Sequence, residues 1–228
     1  MSDSGEPAVY TARTIPSREG LATLRAQVRP AILSVLVLTL LTGCGFPLLL
    51  FVIGRPLFPR QANGTLVTRS GTVLGSELIG QGFARPEYFQ SRPSAAGSGY
   101  DGTSSGGTNL GPNNPKLKNG TADFVGIVQL ADEYRARNGL SPRALIPIDA
   151  VTRSGSGLDP DITPANAALQ IPRVAHARGL SDETVHRLVL EHTKRRQFGF
   201  LGNPRVPVLE LNVALDQLFS KTKVQTAR

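Results

Sequence analysis

Hydrophobic residues form one long continuous stretch near the N-terminus of the 228-residue chain and shorter periodic patches after it. Arg29 and Arg55 bracket an uncharged apolar segment, residues 30–54. As a helix this segment would be about 37 Å long, enough to cross a hydrocarbon core of about 30 Å. We therefore predict a single transmembrane helix over 30–54, kinked at Pro47. Residues 1–29 are polar and are predicted to form a flexible cytoplasmic leader.

The pattern after the span predicts one loop-rich α+β domain over residues 55–228, on the extracytoplasmic side. Residues 65–68 and 72–75 flank a glycine-containing turn, which predicts a β-hairpin. Residues 205–211 predict a final strand, placed by Pro207 at a sheet edge or a strand start, and residues 212–219 predict a closing helix.

Three helices are predicted between the hairpin and the final strand. The first has an apolar face that includes Tyr134 and ends at Asn138-Gly139. The second begins at Thr163-Pro164, is interrupted by Pro172 and closes at Gly179. The third begins at Ser181.

The charges on either side of the span only weakly indicate its orientation. Four arginines precede the span and three follow it closely, which slightly favours a cytoplasmic leader. Thr39 and Gly43 have the small-xxx-small spacing of a helix that packs on other membrane helices, although small residues are also tolerated in an isolated span.

The net charge of +8 does not by itself indicate a nucleic-acid or acidic-membrane partner, because the basic residues are scattered along the chain. No aromatic-interleaved basic stripe or zinc-finger spacing supports nucleic-acid binding. The single cysteine excludes an internal disulfide.

That cysteine allows two interpretations of the N-terminal segment. Leu41-Thr42-Gly43-Cys44 has the pattern of a lipoprotein cleavage site, which would make the protein a lipid-anchored extracytoplasmic binding protein processed at Cys44. However, the apolar run continues ten residues past Cys44, whereas a lipid anchor normally leads into a polar linker. We therefore favour an uncleaved transmembrane helix.

The soluble domain offers little catalytic chemistry. Residues 102–106 fit the G-x-S-x-G pattern of a hydrolase nucleophile, Ser104, but lack the expected strand before and helix after. Residues 154–160 could cradle an anion with backbone N–H groups, or form a tight turn closed by Asp159 onto the backbone. The three histidines lack metal-ligand spacing, and there is no P-loop.

Short motifs in a fixed order nevertheless resemble one family, the small C subunit of the bacterial Kdp potassium-transporting P-type ATPase. The resemblance covers about Arg29 to Phe219. The matching residues are Arg29-Pro30-Ala31, Thr42-Gly43, Phe46-Pro47, Phe58-Pro-Arg-Gln-Ala62, Gly75-Ser-Glu-Leu-Ile-Gly-Gln81, Tyr88-Phe89, Arg92-Pro-Ser-Ala95, Gly106-Gly-Thr-Asn-Leu-Gly-Pro112, Val151-Thr152, Ser154-Gly-Ser-Gly-Leu-Asp-Pro160, Gln170, Pro172-Arg173-Val174 and Leu211-Asn212.

The resemblance implies a non-catalytic accessory subunit in the bacterial cytoplasmic (inner) membrane. It would assemble with a potassium-channel-like subunit, a P-type ATP-hydrolysing subunit and a small single-span subunit, and potassium would be the substrate of the complex. The family is also described as a catalytic chaperone that raises the ATP affinity of the hydrolytic subunit. An extracytoplasmic domain would not meet ATP, so we expect no tightly bound cofactor.

The resemblance also supplies candidate site residues. A cofactor-binding role would fall on Ser154, Gly155, Ser156, Gly157, Asp159, Gln170 and Arg173. Structural or partner-contacting motif residues would be Thr39, Gly43, Pro47, Gln81, Arg92, Ser94, Gly107, Asn109 and Pro112. The family usually has Ser at Thr108, His at Asp161 and Asn at Pro207.

Glycine-rich sequence cannot bury much apolar area, so hydrogen bonds must order it. We expect residues 94–112 and 154–160 to form ordered loops that lie together. Arg92 and Arg173 are expected to pin both loops, because a guanidinium donates to several acceptors at once.

Overall fold

The computed structural model describes residues 18–226, and the chain divides into two compact units, Met1–Ala62 and Asn63–Arg228. Residues 1–17 of the predicted leader lie outside the described residues.

The first unit is helical throughout its described part. Its elements are α1 (Arg18–Leu38), a π-helical segment (Thr39–Gly45), α2 (Phe46–Leu57) and the short α3 (Pro59–Ala62). The stretch Ala22–Leu57 is long and apolar enough to cross a membrane, and none of it is buried within the protein. Residues 18–226 therefore contain a single helix of this kind, near the N-terminus as the sequence predicted.

The helix changes its hydrogen-bonding pattern just before Pro47. The N–H of Phe46 donates to the carbonyl of Leu41, the i→i−5 bond of a π-helix. Pro47 follows in the first turn of α2, and because the helix is continuous here, its missing N–H removes one backbone hydrogen bond. The hydroxyl of Thr42 donates to the Leu38 carbonyl at 2.7 Å, which satisfies it inside an apolar segment.

The second unit begins with the predicted hairpin. Strand β1 (Leu66–Arg69) pairs antiparallel with β2 (Thr72–Ser76), with an irregularity between Val67 and Thr68. Ser70 and Gly71 form the turn with positive φ values of 50° and 80°, a conformation that glycine adopts without strain. The hairpin prediction is confirmed.

Helices then dominate the second unit: α4 (Pro115–Asn119), α5 (Ile127–Arg137), a 3₁₀ turn (Ile148–Ala150), α6 (Pro164–Arg178) and α7 (Asp182–His192). The Thr163 and Ser181 side chains cap α6 and α7 as predicted. Gly179 ends α6 in the left-handed conformation. The predicted interruption at Pro172 is wrong, because α6 continues through it and buries its neighbours Ile171 and Val174 in the core.

The predicted strand over residues 205–211 is also wrong beyond its first residues. Strand β4 is only Val206–Pro207, antiparallel to β3 (Asp161–Ile162), and α8 (Val208–Thr226) follows at once. Val208, Leu211 and Leu215 are at most 1% exposed, at the spacing of one helical face. The apolar residues of this run fit both the two-residue period of a strand and the 3.6-residue period of a helix. Their packing in the core favours the helix.

The main core lies between α6, α7 and α8, with Phe89 reaching it from a loop. Its buried members are Phe89, Ile162, Ala167, Ile171, Val174, Ala175, Val185, Val189, Val206, Val208, Leu211 and Leu215. A smaller cluster joins Tyr134 of α5 to Ala150 and Val151. Segment 77–114 contains no helix or strand, and its residues 87–90 hydrogen-bond to side chains of α6 and α8.

Candidate functional site: paired glycine- and serine-rich loops

Residues 94–107 and 154–160 form two ordered loops that hydrogen-bond to each other. Gly106 N–H and the Ser105 hydroxyl both donate to the Ser156 carbonyl, at 2.9 Å and 3.0 Å. The Ser94 hydroxyl donates to the Gly157 carbonyl at 2.6 Å. The prediction that these loops lie together is confirmed. We call the pair the loop platform.

Glycine is needed where the two backbones approach most closely. A Cβ at Gly107 would lie 2.6 Å from the Gly155 carbonyl oxygen. A Cβ at Gly157, whose φ is +71°, would lie 2.5 Å from the Ala96 nitrogen. Both obstructing atoms belong to backbone, which cannot rotate away, so side chains at these positions would separate the loops.

Ser94 organises the first loop around a single hydroxyl. Its oxygen accepts hydrogen bonds from Tyr100 N–H at 2.8 Å and Ala96 N–H at 3.1 Å, while it donates to the second loop. The Tyr100 hydroxyl closes the loop by donating to the Arg92 carbonyl at 2.7 Å. Burial raises the pKa of Tyr100, which keeps this phenol protonated as a donor.

Arg92 ties the second loop to the segment before the first. Its Nη1 lies 2.8 Å from Oδ2 of Asp159, and its Nη2 makes a long 3.5 Å contact with the Thr152 hydroxyl. The other oxygen of Asp159 accepts from the Asp161 N–H at 3.1 Å. The expected role of Arg92 as a donor is confirmed for the second loop only, since its guanidinium donates to neither backbone nor side chains of residues 94–107.

Three backbone N–H groups of the second loop donate inside that loop. Gly157 N–H donates to the Ser154 carbonyl, Leu158 N–H to the Ser156 hydroxyl and Asp159 N–H to the Ser154 hydroxyl, at 3.2, 3.1 and 3.4 Å. Together with the bond from Asp161 N–H to Asp159, these bonds close a tight turn. The geometry therefore favours a tight turn over an anion cradle.

Two side-chain amides bind the extended backbone just before the platform as a neighbouring strand would. Gln170 accepts from Gln90 N–H at 2.8 Å and donates to the Gln90 carbonyl at 3.2 Å. Asn212 does the same to Phe89, at 2.8 Å and 2.9 Å. These amides hold a loop against α6 and α8 and satisfy its buried backbone groups. Asn212 occurs in the sequence motif, but its role required the tertiary contact.

Arg173 lies elsewhere than expected. Its guanidinium donates to the carbonyls of Pro86 and Tyr88 and to the side chains of Asn138 and Gln170, with the bond to Tyr88 at 2.9 Å. It therefore pins residues 86–88 and not the loop platform, which corrects the expectation. Burial lowers the pKa of Arg173 to about 10, so it still carries its charge at neutral pH.

A buried carboxylate missed by the sequence reasoning supports α6. Asp149, 5% exposed, accepts hydrogen bonds from the Thr163 N–H, the Thr163 hydroxyl and the Asn166 amide, all within 3.0 Å. Negative charge at a helix N-terminus is favourable. The Tyr134 hydroxyl donates to the Asn166 side chain at 2.9 Å, and burial raises the pKa of Tyr134. The sequence indicates this role only by placing one acidic residue within the apolar run 146–151.

Asp161, the departure from the usual family residue, faces a basic partner. Its carboxylate lies 2.9 Å from Nε of Arg205. Burial nonetheless raises the pKa of Asp161, with the neighbouring Asp159 and Glu210 adding to this effect and Arg205 and Lys194 opposing it. The carboxylate is therefore held in an environment that disfavours its charged form.

The other predicted domain residues are spread over the surface. The Gln81 amide donates to the Leu74 carbonyl at 3.1 Å and fills the space beside Gly75, so it fastens the hairpin. Asn109 has a φ of +53° and is exposed, as is Pro112. Neither of these two lies in the paired part of the loops.

The predicted membrane residues lie along the apolar helix of the first unit. Thr39 and Gly43 belong to the π-helical segment, and Pro47 follows in α2. Cys44 is a free, exposed thiol in the same π-helical segment.

The G-x-S-x-G match does not form a nucleophile elbow. Ser104 lies in an exposed turn whose N–H donates to the Asp101 carbonyl, with no strand before it and no helix directly after it. Within residues 18–226, no group of three or more His, Cys, Asp or Glu side chains has metal-binding geometry.

A cavity of about 270 Å³ opens beside the loop platform. Arg137 and Arg153 line it, together with Glu133, Tyr100 and Asn166. Arg153 donates to the Val125 carbonyl at 3.0 Å, and burial lowers its pKa. Two guanidiniums in one cavity favour an anionic ligand over a cation.

Comparison with known proteins agrees with these motifs. A potassium-transporting ATPase KdpC subunit of Mycobacterium tuberculosis is 49% identical over 195 residues, which are 86% of this chain and 100% of that protein. The protein of the same name from Gemmatimonas aurantiaca is 52% identical over 192 residues, 84% of this chain and 92% of that one. The Methylococcus capsulatus protein of that name is 51% identical over 191 residues, 83% of this chain and 97% of that one.

The family match covers both units of the structure. The family described as "KdpC: K+-transporting ATPase, c chain" matches residues 28–217, from within α1 to within α8. The match thus includes the apolar helix, the loop platform and both amide contacts. This chain belongs to the KdpC family, the c chain of the K⁺-transporting ATPase.

Proposed function

We propose that this subunit of the Kdp K⁺-transporting ATPase assembles and stabilises the pump without a catalytic site of its own. In this proposal the apolar helix anchors the chain in the bacterial cytoplasmic membrane. The second unit lies outside the cytoplasm and clamps the subunit that admits potassium. Potassium is the substrate of the complex, and ATP hydrolysis belongs to another subunit.

The observation that carries this proposal is how the motif residues use their polar groups. Ser94 hydrogen-bonds the second loop, Arg92 pairs with Asp159, and Gln170 binds the backbone of Gln90. Catalytic groups must instead point at a reacting molecule. Motif residues that bind one another build a rigid surface, and a rigid surface suits binding to a partner.

The proposed partners are three: a potassium-channel-like subunit, a P-type ATP-hydrolysing subunit and a small single-span subunit. The exposed apolar side chains of Ala22–Leu57 support membrane partners, because such a helix must be covered by lipid or by other helices. Affinity purification of the full chain in mild detergent, followed by mass spectrometry, should recover all three. Full assembly and potassium uptake in cells that lack this chain would contradict the proposal.

The alternative, a lipoprotein processed at Cys44, is disfavoured by the extent of the family match. The match begins at residue 28, so it includes the residues that cleavage before Cys44 would remove. The intact mass of the protein from membranes should include residues 1–43. A mature form that starts at a lipidated Cys44 would support the alternative instead.

The proposed orientation can be tested with introduced thiols. Cys44 is the single cysteine, so Cys44→Leu gives a background without thiols. Ser104→Cys then places one thiol on an exposed turn of the second unit. A membrane-impermeant maleimide added to intact spheroplasts should label this thiol. Labelling that requires membrane lysis would place the domain in the cytoplasm.

A second candidate function, which requires the second unit to lie in the cytoplasm instead, is to raise the ATP affinity of the hydrolytic subunit. The cavity lined by Arg137 and Arg153 supports it, because nucleotide phosphates are anionic. Arg153→Gln should then raise the KM for ATP of the purified complex, while Arg143→Gln, at an exposed position, should not. An unchanged KM in both variants would remove this candidate and leave the assembly role intact.

A further inference from the structure

A basic, aromatic loop protrudes from the second unit between α7 and β4. We call residues 194–205 the aromatic hairpin. Phe198 is 86% exposed, Phe200 70% and Leu201 47%. Large apolar side chains so exposed and so close together indicate a binding surface.

The aromatic hairpin has a defined backbone conformation. At its base, Lys194 and Arg205 exchange two backbone hydrogen bonds, of 2.8 Å and 3.0 Å. Near its tip, Gln197 and Leu201 exchange two more, both of 2.9 Å. These bonds fix the backbone from which the two phenyl rings project.

The tip contains a strained residue. Phe198 has a φ of +52°, although Gly199 follows it and the left-handed region favours glycine. Backbone strain in a bulky residue persists where the surrounding structure enforces it, and it is concentrated at functional sites. Here it holds Phe198 away from the domain, where it is almost fully exposed.

Two ion pairs fasten the hairpin base to the core. Lys194 Nζ lies 2.6 Å from Glu210 Oε1, and Arg205 Nε lies 2.9 Å from Asp161 Oδ2. Val206, directly after the hairpin, is fully buried. The hairpin backbone is therefore preorganised, which lowers the entropy lost on binding.

The remaining charge on the hairpin is positive. Arg195 and Arg196 are exposed, and no carboxylate of the described residues forms an ion pair with either. Between Lys194 and Arg205 the sequence contains no acidic residue. A complementary surface would offer an apolar pocket bordered by aspartate or glutamate side chains.

We propose that the aromatic hairpin inserts Phe198 and Phe200 into an acid-rimmed apolar pocket on the extracytoplasmic face of the subunit that admits potassium. This inference rests on the proposed assembly role. A protein that draws in cations carries carboxylates around its entrance, which is the charge that Arg195 and Arg196 require. Aromatic and arginine side chains are the residues that most often dominate binding energy in protein interfaces.

A protein pocket explains the hairpin better than a lipid surface does. The chain already has an apolar helix able to span the membrane, so a weak lipid contact would add little attachment. Lipid insertion also needs no particular backbone conformation. The strained and hydrogen-bonded tip instead has the fixed shape that specific recognition uses.

Photo-crosslinking in the assembled pump tests the partner. Benzoylphenylalanine replaces Phe198 in the full chain, and the purified complex is irradiated and analysed by mass spectrometry. We expect a crosslink to the potassium-admitting subunit at an apolar segment near carboxylates. The same reagent at Leu145, which is 92% exposed on another surface, gives the background. Crosslinks to lipid alone, to another subunit alone, or none above background would overturn the inference.

Paired substitutions test the energetics. Phe198→Ser with Phe200→Ser should lower recovery of the complex roughly tenfold, whereas Leu145→Ser should leave it unchanged. Arg195→Glu with Arg196→Glu should slow association, and Arg143→Glu with Arg187→Glu, at two exposed positions outside the hairpin, is the matched charge control. A melting temperature equal to that of the wild type shows that the domain of each variant has folded. Unchanged recovery from folded hairpin variants would overturn the inference.

These experiments separate the inference from the proposed function. If loss of the whole chain abolishes pump assembly but the hairpin variants assemble normally, the assembly role stands and the hairpin inference fails. If the pump assembles fully without the chain, the proposed function itself fails.

Discussion

Arg92 and Asp159 form an ion pair of 2.8 Å between segments 67 positions apart in the sequence. Both side chains are about one quarter to one third exposed. The same Asp159 closes the turn of the second loop through Asp161 N–H. The pair therefore ties the segment just before the first loop to the second loop.

Arg92→Gln should destabilise the second unit by about 1–2 kcal/mol, between the values for exposed ion pairs and for hydrogen bonds to charged groups. Urea unfolding of the full chain in micelles measures this free energy. Arg143→Gln is the control, because Arg143 is exposed. Equal effects of the two substitutions would show that the Arg92–Asp159 pair has no special role.

Gly107→Ala tests the close approach of the two loops. The new Cβ would lie 2.6 Å from the Gly155 carbonyl oxygen, so the loops must separate. We expect a loss of about 1–3 kcal/mol and faster proteolysis near Ser105. Gly111→Ala, where nothing lies within 4 Å, should change neither measurement. A stable, protease-resistant Gly107→Ala variant would contradict the described approach.

Local rules predict the hairpin and the helix ends well, because their causes are local. Gly71 favours the turn, while Thr163, Ser181 and Gly179 supply caps from within their own elements. The start of α8 was mispredicted because residues 206–211 fit both a strand and a helix. Only the burial of one helical face, which depends on α6 and α7, decides between them.

The candidate site could be located from sequence but not assembled from it. The motifs identified Gln170 and Arg173, yet the backbone groups that they bind lie 80 to 87 positions away. Such contacts depend on how α6 packs against the segment 86–90. The role of Asp149 was missed for the same reason. The groups that donate to its carboxylate lie at the start of α6, and only the fold brings them beside it.

Arg173→Lys should loosen residues 86–90 and leave the loop platform intact. Lysine keeps the charge but cannot hold four acceptors in one plane. We expect a loss of about 2 kcal/mol or more. Hydrogen exchange should rise in residues 86–90 and stay unchanged in 94–107, with exposed Arg143→Lys as the control. Faster exchange confined to the loop platform would contradict this assignment.

Asp161→Asn should stabilise the second unit at neutral pH. Because the pKa of Asp161 is raised on folding, mainly by burial, the folded state binds its proton more tightly than the unfolded state. This carboxyl therefore favours folding at acidic pH, and that contribution is lost as pH rises through the folded pKa. The difference in melting temperature between variant and wild type should shrink on acidification. A variant less stable at neutral pH would show that the Arg205 ion pair outweighs burial.

Gly43→Ile tests whether the apolar helix packs on a partner. Within this chain a Cβ at Gly43 meets only a Thr39 methyl group, at 3.9 Å, so the helix itself tolerates the added bulk. Small residues in membrane helices let a neighbouring backbone approach closely, and isoleucine would prevent that. The variant should insert normally yet recover partner subunits at roughly a tenth of the wild-type yield. Gly54→Ile adds the same side chain to the same helix with nothing within 4 Å and should recover partners normally. If both variants assemble as wild type does, the face of Thr39 and Gly43 is covered by lipid, and the pump must hold this subunit through its second unit.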